Sequence, residues 1–114
     1  MEIKVELEKQ EKFEDIYRIY TVRGDLKEIF LRLWEENAVI GIHEENEASL
    51  MDDMIEDGEE LFKRLIRELE QNEGLAQARL LISSKGRISL IVKIGAYITW
   101  RILLDRKKVE VVEG

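Results

Sequence analysis

The chain has 114 residues and neither cysteine nor proline, and it has a single histidine. Without cysteine there is no disulfide, no thiol nucleophile and no thiolate metal site. About five prolines would be average for this length, and none interrupts any element. The seven glycines stand singly, Gly41, Gly58, Gly74, Gly86 and Gly95 in the interior of the chain with Gly24 before them and Gly114 after, so no glycine-rich phosphate loop is present. No serine is paired with His43 in a recognisable nucleophile motif. No apolar run has the length and period of a membrane helix, and no secretory leader is evident, so the expectation is a cytoplasmic, soluble protein.

What is abundant is charge. Charged residues make up 38% of the chain, against a usual quarter. Fourteen isoleucines and fourteen leucines supply enough apolar area for a real core, which argues against disorder. One domain over 1–114 is expected. Few asparagines and glutamines among many glutamates, lysines and arginines suit a thermostable protein, natural or designed. The net charge of −7 is unevenly placed. Residues 44–73 hold twelve acids and three bases; residues 74–114 hold three acids and eight bases. Such asymmetry marks candidate interaction surfaces.

Periodicity gives the elements. From Ile88 every second residue is apolar through Leu90, Val92, Ile94, Ala96, Ile98, Trp100, Ile102 and Leu104. Strict alternation is the mark of a strand with one buried face. Drawn straight, the stretch would span roughly 56 Å, whereas a compact chain of this length is roughly 34 Å across. The expectation is a long bent strand over 88–104, or two strands hinged at Gly95; projection into a second subunit is the other way out. Residues 2–8 alternate as a strand, and Lys9 to Glu14 reads as a polar turn. Asp15 to Arg23 is rich in β-formers, although Phe13, Ile16, Tyr17 and Tyr20 also fit a helix. Asp25 with Glu28 forms a capping box ahead of the stripe Leu26, Ile29, Phe30, Leu33, Trp34, and Asn37 is a left-handed stop. The apolar run Ala38 to His43 suggests a central strand covered on both faces.

Leu50 to Leu69 carries helical stripes on both sides of Gly58, with a second capping box at Asp57 and Glu60, and Gly74 ends it. From Leu75 strand patterning returns. Only a three-residue loop, with Gly86 left-handed, sets apolar opposite apolar: Ile88 with Ile82, Leu90 with Leu80, Val92 with Ala78, Ile94 with Ala76. Asp105 to Lys108 is a turn before a short strand at Val109 to Val112. The expected fold is a two-layer α+β domain, a mostly antiparallel sheet in the order β-β-α-β-α-β-β-β with two helices on one face. In element order alone the chain resembles designed two-helix sheet proteins of novel topology.

Three groups of residues could carry function. His43 with Asp52, Asp53 and Glu56 offers a weak catalytic or metal-binding constellation for a hydrolase or nuclease; it matches no ligand spacing, and solvation and helix-dipole effects account for the acids. No cofactor is expected. The acidic stretch Glu44, Glu45, Glu47, Asp52, Asp53, Glu56, Asp57 and Glu60 could meet a basic protein or imitate nucleic acid. The third group is the other face of the last strands, Arg79, Arg87, Lys93, Tyr97 and Arg101. Basic and aromatic side chains there could contact nucleic acid, but the interspersed Leu81, Ile91 and Leu103 favour cover by another subunit or by the N-terminal strands. The leading expectation is a non-enzymatic domain acting by protein–protein association, as a homodimer. A metal-dependent hydrolase and an engineered scaffold without a biological task are the alternatives.

Overall fold

The computed structural model describes residues 1–12, 16–45, 58–96 and 98–114. The chain folds in the order β1 (Glu2–Lys12), β2 (Ile16–Val22), α1 (Leu26–Glu35), β3 (Val39–Glu44), α2 (Gly58–Gln71), β4 (Ala76–Ser83), β5 (Ile88–Ile94), β6 (Ile98–Leu104), a 3-10 turn (Arg106–Lys108) and β7 (Glu110–Glu113). The seven strands of the described residues form one sheet, β3-β6-β5-β4-β2-β1-β7. Every neighbouring pair is antiparallel except β1 and β7.

The stretch 88–104 resolves its length problem by folding back on itself. Gly95 takes a left-handed φ of 62°, and Ile94 pairs with Ile98, Val92 with Trp100, Leu90 with Ile102, Ile88 with Leu104. Of the readings for this stretch, two strands hinged at Gly95 holds, and it adds one strand to the expected order. Three positions separate Ile94 from Ile98. An odd connection preserves the two-residue parity, so the apolar row continues across the reversal and imitates one ribbon. The molecule therefore measures only 31 × 30 × 28 Å.

The preceding hairpin has the register that apolar matching demands: Ile82 opposite Ile88, Leu80 opposite Leu90, Ala78 opposite Val92, Ala76 opposite Ile94. Gly86 supplies a φ of 86°, and the Gly86 amide donates to the Ser83 carbonyl at 2.9 Å. Asp25 caps α1 by accepting from the Glu28 amide at 3.0 Å. Asn37, at φ 55°, ends the helix.

Two expectations are corrected. Residues 9–12 continue β1 rather than turning, because a bulge between Leu7 and Lys9 resets the pairing and lets the strand follow β2 as far as Ile16. Ala38–His43 does not become a central strand: among the described residues β3 pairs with β6 alone and lies at the sheet's edge. Its apolar character has another cause. Ala38, Val39 and Ile42 pack on the core, while Ile40 falls at a register shift and is 67% exposed. The helical stripe at Leu50–Ile55 and the Asp57 cap lie outside the described residues.

Both helices sit on one face. Phe30 and Leu33 of α1, with Leu61, Phe62, Leu65 and Leu69 of α2, meet Ile3, Val5, Tyr20, Ala78, Leu80, Leu90, Val92, Trp100 and Ile102 of the sheet. Trp34 stacks on Phe62 with ring centres 4.5 Å apart, joining the helices. The sheet curls around them. The five residues from Asp105 to Val109 take the chain from the second strand of the sheet to the last. Across a flat sheet that would be five intervals, roughly 24 Å, beyond the roughly 20 Å that such a link can reach. The two ends of the sheet are accordingly drawn together: the Met1 ammonium donates to the Lys108 carbonyl at 2.9 Å, and Lys108 Nζ to the Asn37 carbonyl at 3.4 Å.

Candidate interaction surfaces

Alternation puts the residues between the core positions on the sheet's outer face. Register aligns them in rows. One row runs Ile19, Leu81, Ser89, Leu103, Gly41; the next runs Thr21, Arg79, Ile91, Arg101, His43; a third holds Gln77, Lys93 and Thr99. Expectation had allowed the N-terminal strands to cover this face. They cannot, because β1 and β2 are strands of the same sheet. Leu81 and Ile91 are half-buried by their neighbours, and Leu103 is 42% exposed.

The cations of this face are unequally engaged. Arg79 Nε lies 3.1 Å from the Glu8 carboxylate, and Arg101 Nε lies 2.7 Å from that of Glu45. Arg87 and Lys93 pair with no described carboxylate and are exposed. The result is an apolar band, Leu81–Ile91–Leu103, with net positive charge around it. Tyr97 lies outside the described residues, so the basic-and-aromatic arrangement suited to nucleic acid is reduced to its basic part.

The acidic stretch divides. Glu44 is turned inward: it is 8% exposed, and its carboxylate accepts from Arg64 of α2 at 2.5 Å. Arg64 in turn lies over the Trp100 ring, 5.9 Å from its centre, and Trp100 Nε1 donates to Glu68 at 2.7 Å. This chain of contacts fastens the end of β3 and the middle of β6 to α2. Glu44 is thus a structural ion-pair partner, and Glu45 is engaged with Arg101. Glu60 stays exposed in the first turn of α2, with Glu59 and Lys63 beside it. Sequence reasoning did not single out Arg64 or Glu68; the signal was their i, i+4 spacing on the edge of the α2 stripe, where they flank its buried face. Glu47, Asp52, Asp53, Glu56 and Asp57 lie outside the described residues.

His43 is half-buried on β3, opposite Arg101. Its proposed catalytic companions fall outside the described residues. Among the described residues, no three acidic or histidine side chains are gathered to hold a metal, and no buried side-chain polar atom lacks a partner. A cleft of about 410 Å³ lies between the start of α1 and the end of α2. Its wall is the Lys27–Glu70 bridge at 2.8 Å, and the hydrogen bond to Glu70 raises the Lys27 pKa.

No family model, curated protein or solved structure matches the chain. No helix among the described residues is long and apolar enough to cross a membrane.

Proposed function

We propose that the protein is a non-enzymatic domain that acts by association with other proteins, and that the outer face of its sheet is a contact surface. The observation that carries this is the asymmetry of the sheet: both described helices cover one face, while among the described residues no helix covers the other, where Leu81 and Ile91 are half-buried and Leu103 is 42% exposed among cations. An apolar centre with a charged rim is the anatomy of a transient protein interface. The charge selects the partner. Two copies placed outer face to outer face would oppose Arg79, Arg87, Lys93 and Arg101 with themselves, and like-charge juxtaposition costs several kcal/mol. An acidic surface with apolar residues at its centre is complementary, so self-association must use another part of the molecule.

The probe is an acidic amphipathic peptide of alternating glutamate and leucine, titrated while the methyl resonances of the protein are followed. Leu81, Ile91 and Leu103 are expected to shift, and Arg87→Glu with Lys93→Glu to abolish the shifts. Unmoved outer-face methyls at millimolar peptide would reject the reading. Shifts confined to α2, produced instead by a basic peptide, would transfer the contact to Glu59 and Glu60.

A further inference from the structure

We infer that the β4–β5 hairpin tip and the turn after β6 together seat a run of carboxylates on the acidic partner, and so set which way round that partner lies; this rests on the outer-face contact proposed above. Register brings the two turns side by side. Ile88 stands opposite Leu104, so the chain that leaves β6 passes beside the chain that enters β5. Asp105 then turns it, its carboxylate accepting from the Lys107 amide at 3.0 Å. Arg106, the first residue of that turn, lies across the hairpin tip. Its guanidinium occupies the space that a side chain at Gly86 would fill.

Glycine at 86 thus has two consequences. It gives the hairpin its left-handed corner, and it admits a cation from another turn at the residue between Lys85 and Arg87. All three cations are exposed, and none pairs with a described carboxylate. Asp105, the acid of these two turns, is committed to the Lys107 amide. Lys107 and Lys108 differ: they share a cleft with Glu36 and Glu110, so their charge is offset within the chain. A protein of net charge −7 therefore gathers three cations at one tip with no acid of its own against them. Like charges held together repel, and a bound anion relieves that repulsion.

The tip is continuous with the outer face. Along the outward side of β5 the order is Arg87, Ser89, Ile91, Lys93. Arg87 stands roughly 13 Å from Ile91 at about 3.3 Å per residue. Three cations lie at the tip and one, Lys93, beyond the apolar band. A segment with carboxylates at one end and apolar residues after them satisfies tip and band together in one direction. The band also selects a protein, because a phosphate backbone would leave Leu81, Ile91 and Leu103 without a partner.

Two peptides test this against the full chain by fluorescence polarisation, with circular dichroism confirming that each variant is folded. One is the alternating glutamate–leucine peptide; the other carries an added run of glutamates at one end. The run is expected to tighten binding about fivefold, the return of a few exposed charge contacts. Arg106→Gln, and Gly86→Ala by displacing the guanidinium, are each expected to remove that gain and to leave the affinity for the plain peptide unchanged. Lys4→Gln removes the same charge far from the tip and is expected to keep the gain. A spin label on the run is expected to broaden the amide resonances of Gly86 and Arg106 and to spare that of Lys93. No gain from the run, equal loss in Lys4→Gln and Arg106→Gln, or broadening at Lys93 in place of Gly86 would overturn the inference. So would an oligothymidylate that binds more tightly than the run-bearing peptide at the same salt. Failure of the outer face shows as unmoved Leu81, Ile91 and Leu103 methyls with either peptide; failure of the tip alone shows as moving methyls with no gain from the run.

Discussion

Leu90, Ile91 and Val92 are consecutive residues of one strand and live in two environments. Leu90 and Val92 are wholly buried beneath the helices, while Ile91 is half-buried on the outer face between Arg79 and Arg101. Backbone, pairing and residue class are nearly the same; only the side to which the pleat turns differs. The helices have enough apolar stripe to cover one face, and nothing among the described residues covers the second. Apolar residues remain there with charged neighbours, which is the condition of a surface used intermittently.

The largest effects should fall on the covered face. Trp100 is fully buried and is the largest side chain there. Trp100→Ala should cost about 3–5 kcal/mol and Leu90→Ala about 2–5 kcal/mol in urea unfolding, since each loses transfer free energy and leaves a cavity. Ile91→Ala should cost about 1 kcal/mol, with solvent and flexible cations filling the space. Equal losses at 90 and 91 in a dilute monomer would erase the distinction between the faces.

The margin between the two environments should show intermediate effects. Arg64→Ala removes the guanidinium that faces the buried Glu44 carboxylate. Because Arg64 itself is 39% exposed, the loss should be about 1–2 kcal/mol rather than that of a fully buried pair. A double-mutant cycle with Glu44→Gln should return a coupling above the few tenths typical of exposed pairs such as Lys63 with Glu59. At the tip of the β4–β5 hairpin, Gly86→Ala should cost about 1 kcal/mol, because a side chain at φ 86° is strained. Thermal melts should shift more for Gly86→Ala than for Gly95→Ala: both glycines are left-handed, but a methyl at 86 meets the Arg106 guanidinium whereas one at 95 meets nothing within 4 Å.

These elements differ in how legible they were. Register at the β4–β5 hairpin could be read directly, since one loop length alone set Ala76, Ala78, Leu80 and Ile82 against apolar partners. The reversal at Gly95 could not be distinguished from a bend by pattern, because a connection of three residues leaves the alternation unbroken. β3 looked central because burial against helices on one side and a bulge at Ile40 together produce an unbroken apolar run. Charge was the least legible feature. Glu44 and Glu60 belong to one acidic stretch, yet one is buried under Arg64 and the other faces water. That difference depends on a partner twenty positions away. The outer face was visible as residue types, but that neither β1 nor β2 covers it followed only from their placement within the same sheet.

Tyr20 offers the smallest and most selective comparison. It lies on the covered face at its rim, 3% exposed. Burial raises its pKa above the ordinary tyrosine value, and the nearby Glu113 carboxylate adds to the rise while Arg18 opposes it. A group that holds its proton more tightly in the folded chain stabilises that chain fully below its unfolded pKa, about 10. The contribution is lost as pH rises through the folded value, because unfolding then releases a proton. Lys27 shifts in the same direction for a different reason, its bond to Glu70, so alkaline destabilisation of the wild type alone would mix the two. Tyr20→Phe separates them. Both chains keep Lys27, and only one keeps the buried hydroxyl. The wild type should therefore lose stability faster than Tyr20→Phe between pH 10 and 11.5, about 1 kcal/mol or less at the upper end. Parallel curves over that range would mean that the rim of the covered face is as wet as the outer one, and that the boundary lies further in.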